Sequence, residues 1–205
     1  MCVCVCVYVC VCVYVYVCMC ELSIDHHHRL WHVAQALKTG ITQGVNRMRS
    51  GEKIVPNDAD FLYFSKEQLQ LPPSAAQPNG QTAEWKDYAP FAFRHLRQEL
   101  GVDQSDYVQQ LCSGGLHVSP TAGRSGAFFM VVESGRFFLK SLTKGEGKTL
   151  RGCLKAYHAH MVGNRDTLLC HIYGMHRCVC VCVCVCVCVC VCVCVCVCVC
   201  VCVCV

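Results

Sequence analysis

Neither end of this 205-residue chain carries a charged residue, a proline or a glycine. Residues 1–20 alternate cysteine and valine, with Tyr8, Tyr14, Tyr16 and Met19 as interruptions, and residues 178–205 alternate without a break. The first run lacks the positively charged start and small-residue cleavage site of a secretory signal. Of 24 cysteines only Cys112, Cys153 and Cys170 lie outside the runs. Three cysteines make no disulfide framework, so a reducing, cytosolic setting fits. Two of them sit in apolar patterns, which predicts small buried thiols. The net charge of +4 belongs wholly to the middle. That is too weakly basic to argue for nucleic acid, and it is compatible with a phosphate or a lipid headgroup.

A repeat of this purity matches a translated dinucleotide repeat: TGTGTG in frame gives Cys-Val, and single-base changes give Tyr and Met. Three structural readings stand beside that one. As helices, each run holds enough apolar residues to cross a bilayer at about 1.5 Å per residue. As strands, all cysteines fall on one face and all valines on the other. As metal binders, the runs repeat the Cys-x-Cys spacing of thiolate cages. Function is therefore sought in the 157 residues from Glu21 to Arg177, enough for one domain with its own core.

Glu21–Ser50 reads as a helix, with Leu30, Val33, Ala34, Leu37 and Ile41 recurring at helical spacing. His26, His27 and His28 are consecutive, so a helix would point them in different directions and away from one shared ion. Pro56, Pro72, Pro73, Pro78 and Asn79-Gly80 punctuate residues 51–83, which read as a loop or linker with a short apolar piece at 61–64. Order restarts at Trp85, with Asp87 as a helix cap, Pro90 in the first turn and Gly101 as the stop. Asp103 opens a short helix holding Tyr107, Leu111 and Cys112. Residues 127–132 and 136–142 read as a hairpin about Glu133-Ser134-Gly135. A helix over 144–161 with Leu150, Cys153, Leu154 and Tyr157 on one face follows, then a strand over 167–173. The order predicts an α+β fold with an antiparallel sheet. It divides the chain into a tract (1–20), a helix with a proline-rich linker (21–83), a lobe (84–177) and a second tract (178–205).

Three features in order carry the chemistry. Gly123-Arg124-Ser125-Gly126 precedes the hairpin, and small residues there let backbone N–H groups approach an anion. Taken alone it is a weak signal, since most Gly-x-x-Gly stretches are ordinary turns. Lys140 lies inside the apolar run 137–142, where its charge needs a partner or an anionic ligand, unless the strand is an edge and the ammonium reaches water. Glu146 shares a helical stripe with Leu150, Leu154 and Tyr157, so it points at the sheet, or else it serves the helix dipole in the first turn. Glycine loop, strand lysine and helix glutamate in this order form the nucleotide-binding half of a kinase.

Further residues sharpen that reading. They are Trp85-Lys86-Asp87-Tyr88-Ala89-Pro90, Phe93-Arg94-His95-Leu96-Arg97, Gly101-Val102-Asp103, Asp106-Tyr107 and Leu111-Cys112. Phe137-Phe138-Leu139-Lys140 continues the series. Tyr157-His158-Ala159-His160, Thr167-Leu168-Leu169 and Tyr173-Gly174-Met175-His176 complete it. With the glycine segment they resemble the amino-terminal lobe of phosphatidylinositol phosphate kinases, well over 84–177 and loosely over 24–64. The resemblance implies ATP and magnesium as cofactors and a phosphoinositide lipid as partner. It implies that Gly123, Arg124, Ser125 and Gly126 lie over the ATP phosphates, that Lys140 contacts them and that Glu146 orients the lysine. Arg124 stands where the family often has lysine. The resemblance further implies a cytoplasmic protein peripheral at the plasma membrane, with self-association through the amino-terminal helices.

Only 37 residues separate Lys140 from the second tract. The family's catalytic and magnesium-binding aspartates lie in a second lobe, so no catalytic or metal-binding residue is assigned here. The expectation is a nucleotide-binding lobe that does not transfer phosphate by itself. The alternatives are a non-catalytic fragment that pairs with a full-length kinase, and a membrane protein anchored by its tracts.

Overall fold

The computed structural model describes residues 22–26, 28, 30–48, 55–73, 80–119, 129–180 and 198–204. The fold is α+β, with every strand pair antiparallel. Its strands are β1 (Leu22–Ser23), β2 (Phe64–Leu71), β3 (Gln81–Tyr88), β4 (Leu116–Ser119), β5 (Phe129–Val132), β6 (Phe138–Leu142), β7 (Ile172–Cys180) and β8 (Cys198–Cys204). They lie in the order β1-β4-β5-β6-β8-β7-β3-β2, so β8 joins one antiparallel block to the other. The helices are α1 (Trp31–Arg47), α2 (Pro90–Glu99), α3 (Gln104–Cys112) and α4 (Lys144–Gly163), with a 3-10 turn at Asp58–Phe61.

Helix α1 buries Val33, Ala34, Ala36, Leu37, Gly40, Ile41, Gly44 and Val45, a stripe at three- and four-residue spacing. It starts later than the periodicity predicts because Leu22 and Ser23 pair with Val118 and His117 in the sheet. Its stripe packs with Leu69, Leu71, Ala83, Trp85, Tyr107, Met130 and Leu139 in one core. The second core joins α2 and α4: Ala92, Phe93, Leu96, Leu154, Met161 and Met175, with Leu142 and Leu150 against them. The cores take alternate residues of the same strands, so helices cover both faces of the sheet.

Several expectations need correcting. Residues 51–83 are no linker throughout: Phe64–Leu71 and Gln81–Tyr88 pair over eight residues. The prolines at 72, 73 and 78 belong to the connection between these two strands and hid the hairpin. Position 84 lies inside β3. Asp87 caps no helix, because it too lies in β3; its Oδ1 sits 3.0 Å from Nδ1 of His176, whose ring stacks on Trp85. Helix α2 begins after Ala89, held in the left-handed region at φ 45°, with Pro90 in its first turn as the sequence predicts. Asp103 caps α3 as expected.

The strand expected from Thr167 begins instead at Ile172, as β7. Local bonds hold the preceding segment in a turn: Thr167 N–H donates to Asn164 O, and Leu169 N–H to Thr167 Oγ1. Leu168 and Leu169 are exposed. Cys153 and Cys170 are exposed as well, and only Cys112 is partly buried, its thiol pKa pushed up by that burial. Cys153 misses the buried stripe of α4, which runs through Gly147, Leu154, His158 and Met161. Cys178 is no structural boundary: it is buried, and it continues β7 beside Trp85.

The contact between α2 and α4 is built on two buried histidines. His95 Nδ1 lies 3.1 Å from His158 Nε2, and the Phe61 ring meets His158 edge-on. Burial first, and His95 second, push the His158 pKa below its ordinary value of 6.5, against an opposing pull from Glu99. The native state therefore takes up this proton less readily than the unfolded chain does. Stability falls as pH drops below about 6.5, in a window where carboxylates stay ionised. Denaturant midpoints measured from pH 7.5 to 5.5 should decline in the wild type. They should decline less in His158→Gln, which hydrogen-bonds without charging.

Candidate functional site

Strand β6 and the first turn of α4 bring the two predicted residues together. Lys140 stands between Phe129 of β5 and Cys202 of β8 in the register. It is therefore no edge-strand lysine. The same register puts Lys140 on one face with Phe129, and Leu139 on the other with Met130. Lys140 Nζ reaches Glu146 Oε1 at 3.2 Å, and the two side chains keep 35% and 39% exposure. The ammonium is thus held by the protein and still open to a ligand.

Glu146 does two jobs at once. Its Oε2 accepts the N–H of Thr143 at 2.7 Å, while Thr143 Oγ1 accepts the N–H of Glu146 at 3.2 Å. This is a reciprocal capping box at the start of α4. The Thr143 backbone N–H is the largest cause holding the Glu146 carboxyl below the usual carboxylate range, with Lys140 adding to it. The two readings of Glu146, sheet-facing partner and helix-start carboxylate, both hold. The Thr-x-x-Glu spacing at 143–146 would have revealed the box from sequence.

Gly123, Arg124, Ser125 and Gly126 lie outside the described residues, as does His27. The described chain re-enters the sheet at Phe129, directly opposite Lys140. His28 takes the Leu30 N–H on its Nδ1. Among the described residues no three histidine, cysteine or acidic side chains come together around a metal ion. Magnesium needs free carboxylate oxygens beside the phosphates. At Lys140 the described carboxylate is Glu146, with one oxygen on the lysine and the other on Thr143. These residues do not fit a magnesium ion. Among the described residues no helix is long and apolar enough to cross a membrane.

Residues 111–193 match the model of the phosphatidylinositol-4-phosphate 5-kinase family, a span that holds β4 to β7 and both Lys140 and Glu146. The chain is a relative of the phosphatidylinositol phosphate kinases. It is 34% identical over 152 residues to a phosphatidylinositol 4-phosphate 5-kinase of Schizosaccharomyces pombe, covering 73% of this chain and 20% of that protein. It is 32% identical over 157 residues to phosphatidylinositol 4-phosphate 5-kinase 4 of Arabidopsis thaliana, covering 74% and 20%. A probable phosphatidylinositol phosphate kinase of Dictyostelium discoideum is 33% identical over 127 residues, covering 58% and 18%. The chain thus spans about a fifth of the length of these curated relatives.

Proposed function

We propose that this part of the chain is the nucleotide-binding lobe of an ATP-dependent phosphatidylinositol phosphate kinase. The carrying observation is the 3.2 Å contact of Lys140 with Glu146, inside the segment that matches the family. In this reading Lys140 contacts the ATP phosphates, Glu146 orients the ammonium, and the backbone of Gly123-Arg124-Ser125-Gly126 covers the phosphates. The lipid would be a phosphatidylinositol phosphate at a membrane surface, as the relatives' names indicate. Phosphoryl transfer also needs bound magnesium and a group that positions the attacking hydroxyl. Among the described residues none around Lys140 offers either, and the activity proposed for this part of the chain is nucleotide binding.

Equilibrium binding of a fluorescent ATP analogue to the full chain tests the reading. Lys140→Ala should weaken binding by about tenfold or more, since it removes a charge-assisted contact to phosphate. Lys144→Ala, one residue into α4, should bind as the wild type does. Equal losses in the two variants would overturn the assignment, and so would a wild-type chain that fails to bind.

A further inference from the structure

We infer that Thr143 is a positioning residue for the Lys140–Glu146 pair, so that opening the first turn of α4 also releases the lysine. This deepens the nucleotide-site reading above and rests on it. The Glu146 carboxylate has two oxygens and both are taken: Oε1 by Lys140 at 3.2 Å, Oε2 by the Thr143 N–H at 2.7 Å. Its backbone N–H is taken as well, by Thr143 Oγ1. The threonine therefore fixes the glutamate from two sides, and the glutamate presents its remaining oxygen to the lysine.

The helix has little else to hold its first turn. Residues 144–147 read Lys-Gly-Glu-Gly, and glycine is a poor helix former. Both glycines flank the glutamate. Gly147 is buried against β7, where an added Cβ would come 3.2 Å from Met175 Cε, so it has little room for a better helix former. A turn this weak by composition depends on its cap. Without the threonine hydroxyl the first turn frays, the Glu146 backbone moves, and the carboxylate leaves the lysine. Lysine has four rotatable side-chain bonds and no means of holding its own position.

Lysine acetylation of the full chain, followed residue by residue by mass spectrometry, reads the pair directly and needs no nucleotide. A lysine must leave its carboxylate before its amine can attack, so a held lysine is acetylated more slowly than a free one. Thr143→Val should raise the labelling rate of Lys140 relative to Lys155 by about threefold or more, and Thr143→Ser should restore it, because the hydroxyl is the group that matters. Glu146→Gln keeps an oxygen for the cap and loses the charge. It should free Lys140 while amide exchange in the first turn of α4 stays slow. Thr149→Val, on the exposed side of α4, should change neither. If Thr143→Val frays the first turn and Lys140 labelling stays at the wild-type rate, the positioning role is wrong. It is equally wrong if Thr143→Ser fails to restore the rate, or, should Thr143→Val not fold, if Glu146→Gln leaves labelling unchanged. A wild-type chain that binds no ATP analogue would sink the nucleotide reading alone, since the labelling result does not depend on it.

Discussion

Gly40→Leu is expected to leave the chain without a stable fold, and Gly40→Ala to lose about 2 kcal/mol. Gly40 lies where α1 crosses β3, and a Cβ added there would come 2.4 Å from two ring atoms of Trp85. Trp85 is fully buried, stacked on His176, and paired with Glu67 and Cys178 in the sheet, so its ring has nowhere to go. Alanine stabilises a helix over glycine by about 1 kcal/mol, which only partly offsets the clash. Leucine carries three more carbons into the same space and lifts α1 from the sheet, exposing Val33, Leu37 and Ile41 with it. Gly152 on α4 gives the opposite sign, since nothing lies within 4 Å of a Cβ added there. Gly152→Ala should gain about 1 kcal/mol from propensity alone. Urea denaturation of the three variants decides it, and a Gly40→Ala protein as stable as Gly152→Ala would show that α1 does not rest on Trp85.

The hairpin of β5 and β6 and the helix α4 were legible because two periods meet there in plain sequence. Phe137 to Leu142 is apolar and aromatic, and from Lys144 onward the repeat becomes helical. Lys140 and Glu146 were legible for the same reason, being six residues apart across one turn. The hairpin of β2 and β3 was not. Its prolines dominate the window, and β2 buries side chains only at Leu69 and Leu71, too few for an alternating signal. Asp87 looked like a cap because aspartate is a favoured N-cap residue and Pro90 follows at a spacing that suits a first helical turn. Its contact with His176 spans nearly ninety residues of chain, which no local pattern shows. A separation of 63 residues likewise hid the His95–His158 contact.

The second Cys-Val run changes meaning in the structure. Read as sequence, it marks where a family pattern stops. Yet β7 carries that run from Cys178 to Cys180 beside β3, and Cys198–Cys204 fills the place between β6 and β7. A strict two-residue repeat suits a strand, whose side chains also repeat every two residues. The register sets Lys140 opposite Cys202 and Met175 opposite Cys202 from the other side. The strand bearing the candidate site is thereby tied to the strand beneath α4.

Arg97→Ala should cost about 4 kcal/mol, because it strips a buried guanidinium from partners that have no water to replace it. Arg97 is 3% exposed. Its Nη1 donates to the Tyr173 carbonyl at 2.6 Å, and Nε and Nη2 both donate to Gln104 Oε1, at 3.0 and 2.8 Å. Its plane lies over the Tyr107 ring at 4.4 Å. One side chain thus joins α2, the start of α3 and the irregular start of β7, where the register shifts between Ile172 and Gly174. Burial pulls the guanidinium pKa down, and Tyr107 and Asp87 draw it back up, so the cation is held by its surroundings. Lysine would keep the charge and lose the fork, so Arg97→Lys should fall between alanine and the wild type. Arg165→Ala is the control. It removes an ion pair to Glu99 from a side chain that is 68% exposed, and should cost less than about 1 kcal/mol. The effect of Arg97 should also travel. Met175 lies two residues beyond Tyr173 in β7 and packs beneath Gly147, next to Glu146. Amide exchange in the first turn of α4 should therefore quicken in Arg97→Ala and stay slow in Arg165→Ala. Equal exchange in the two would mean that β7 does not support the helix that holds the lysine.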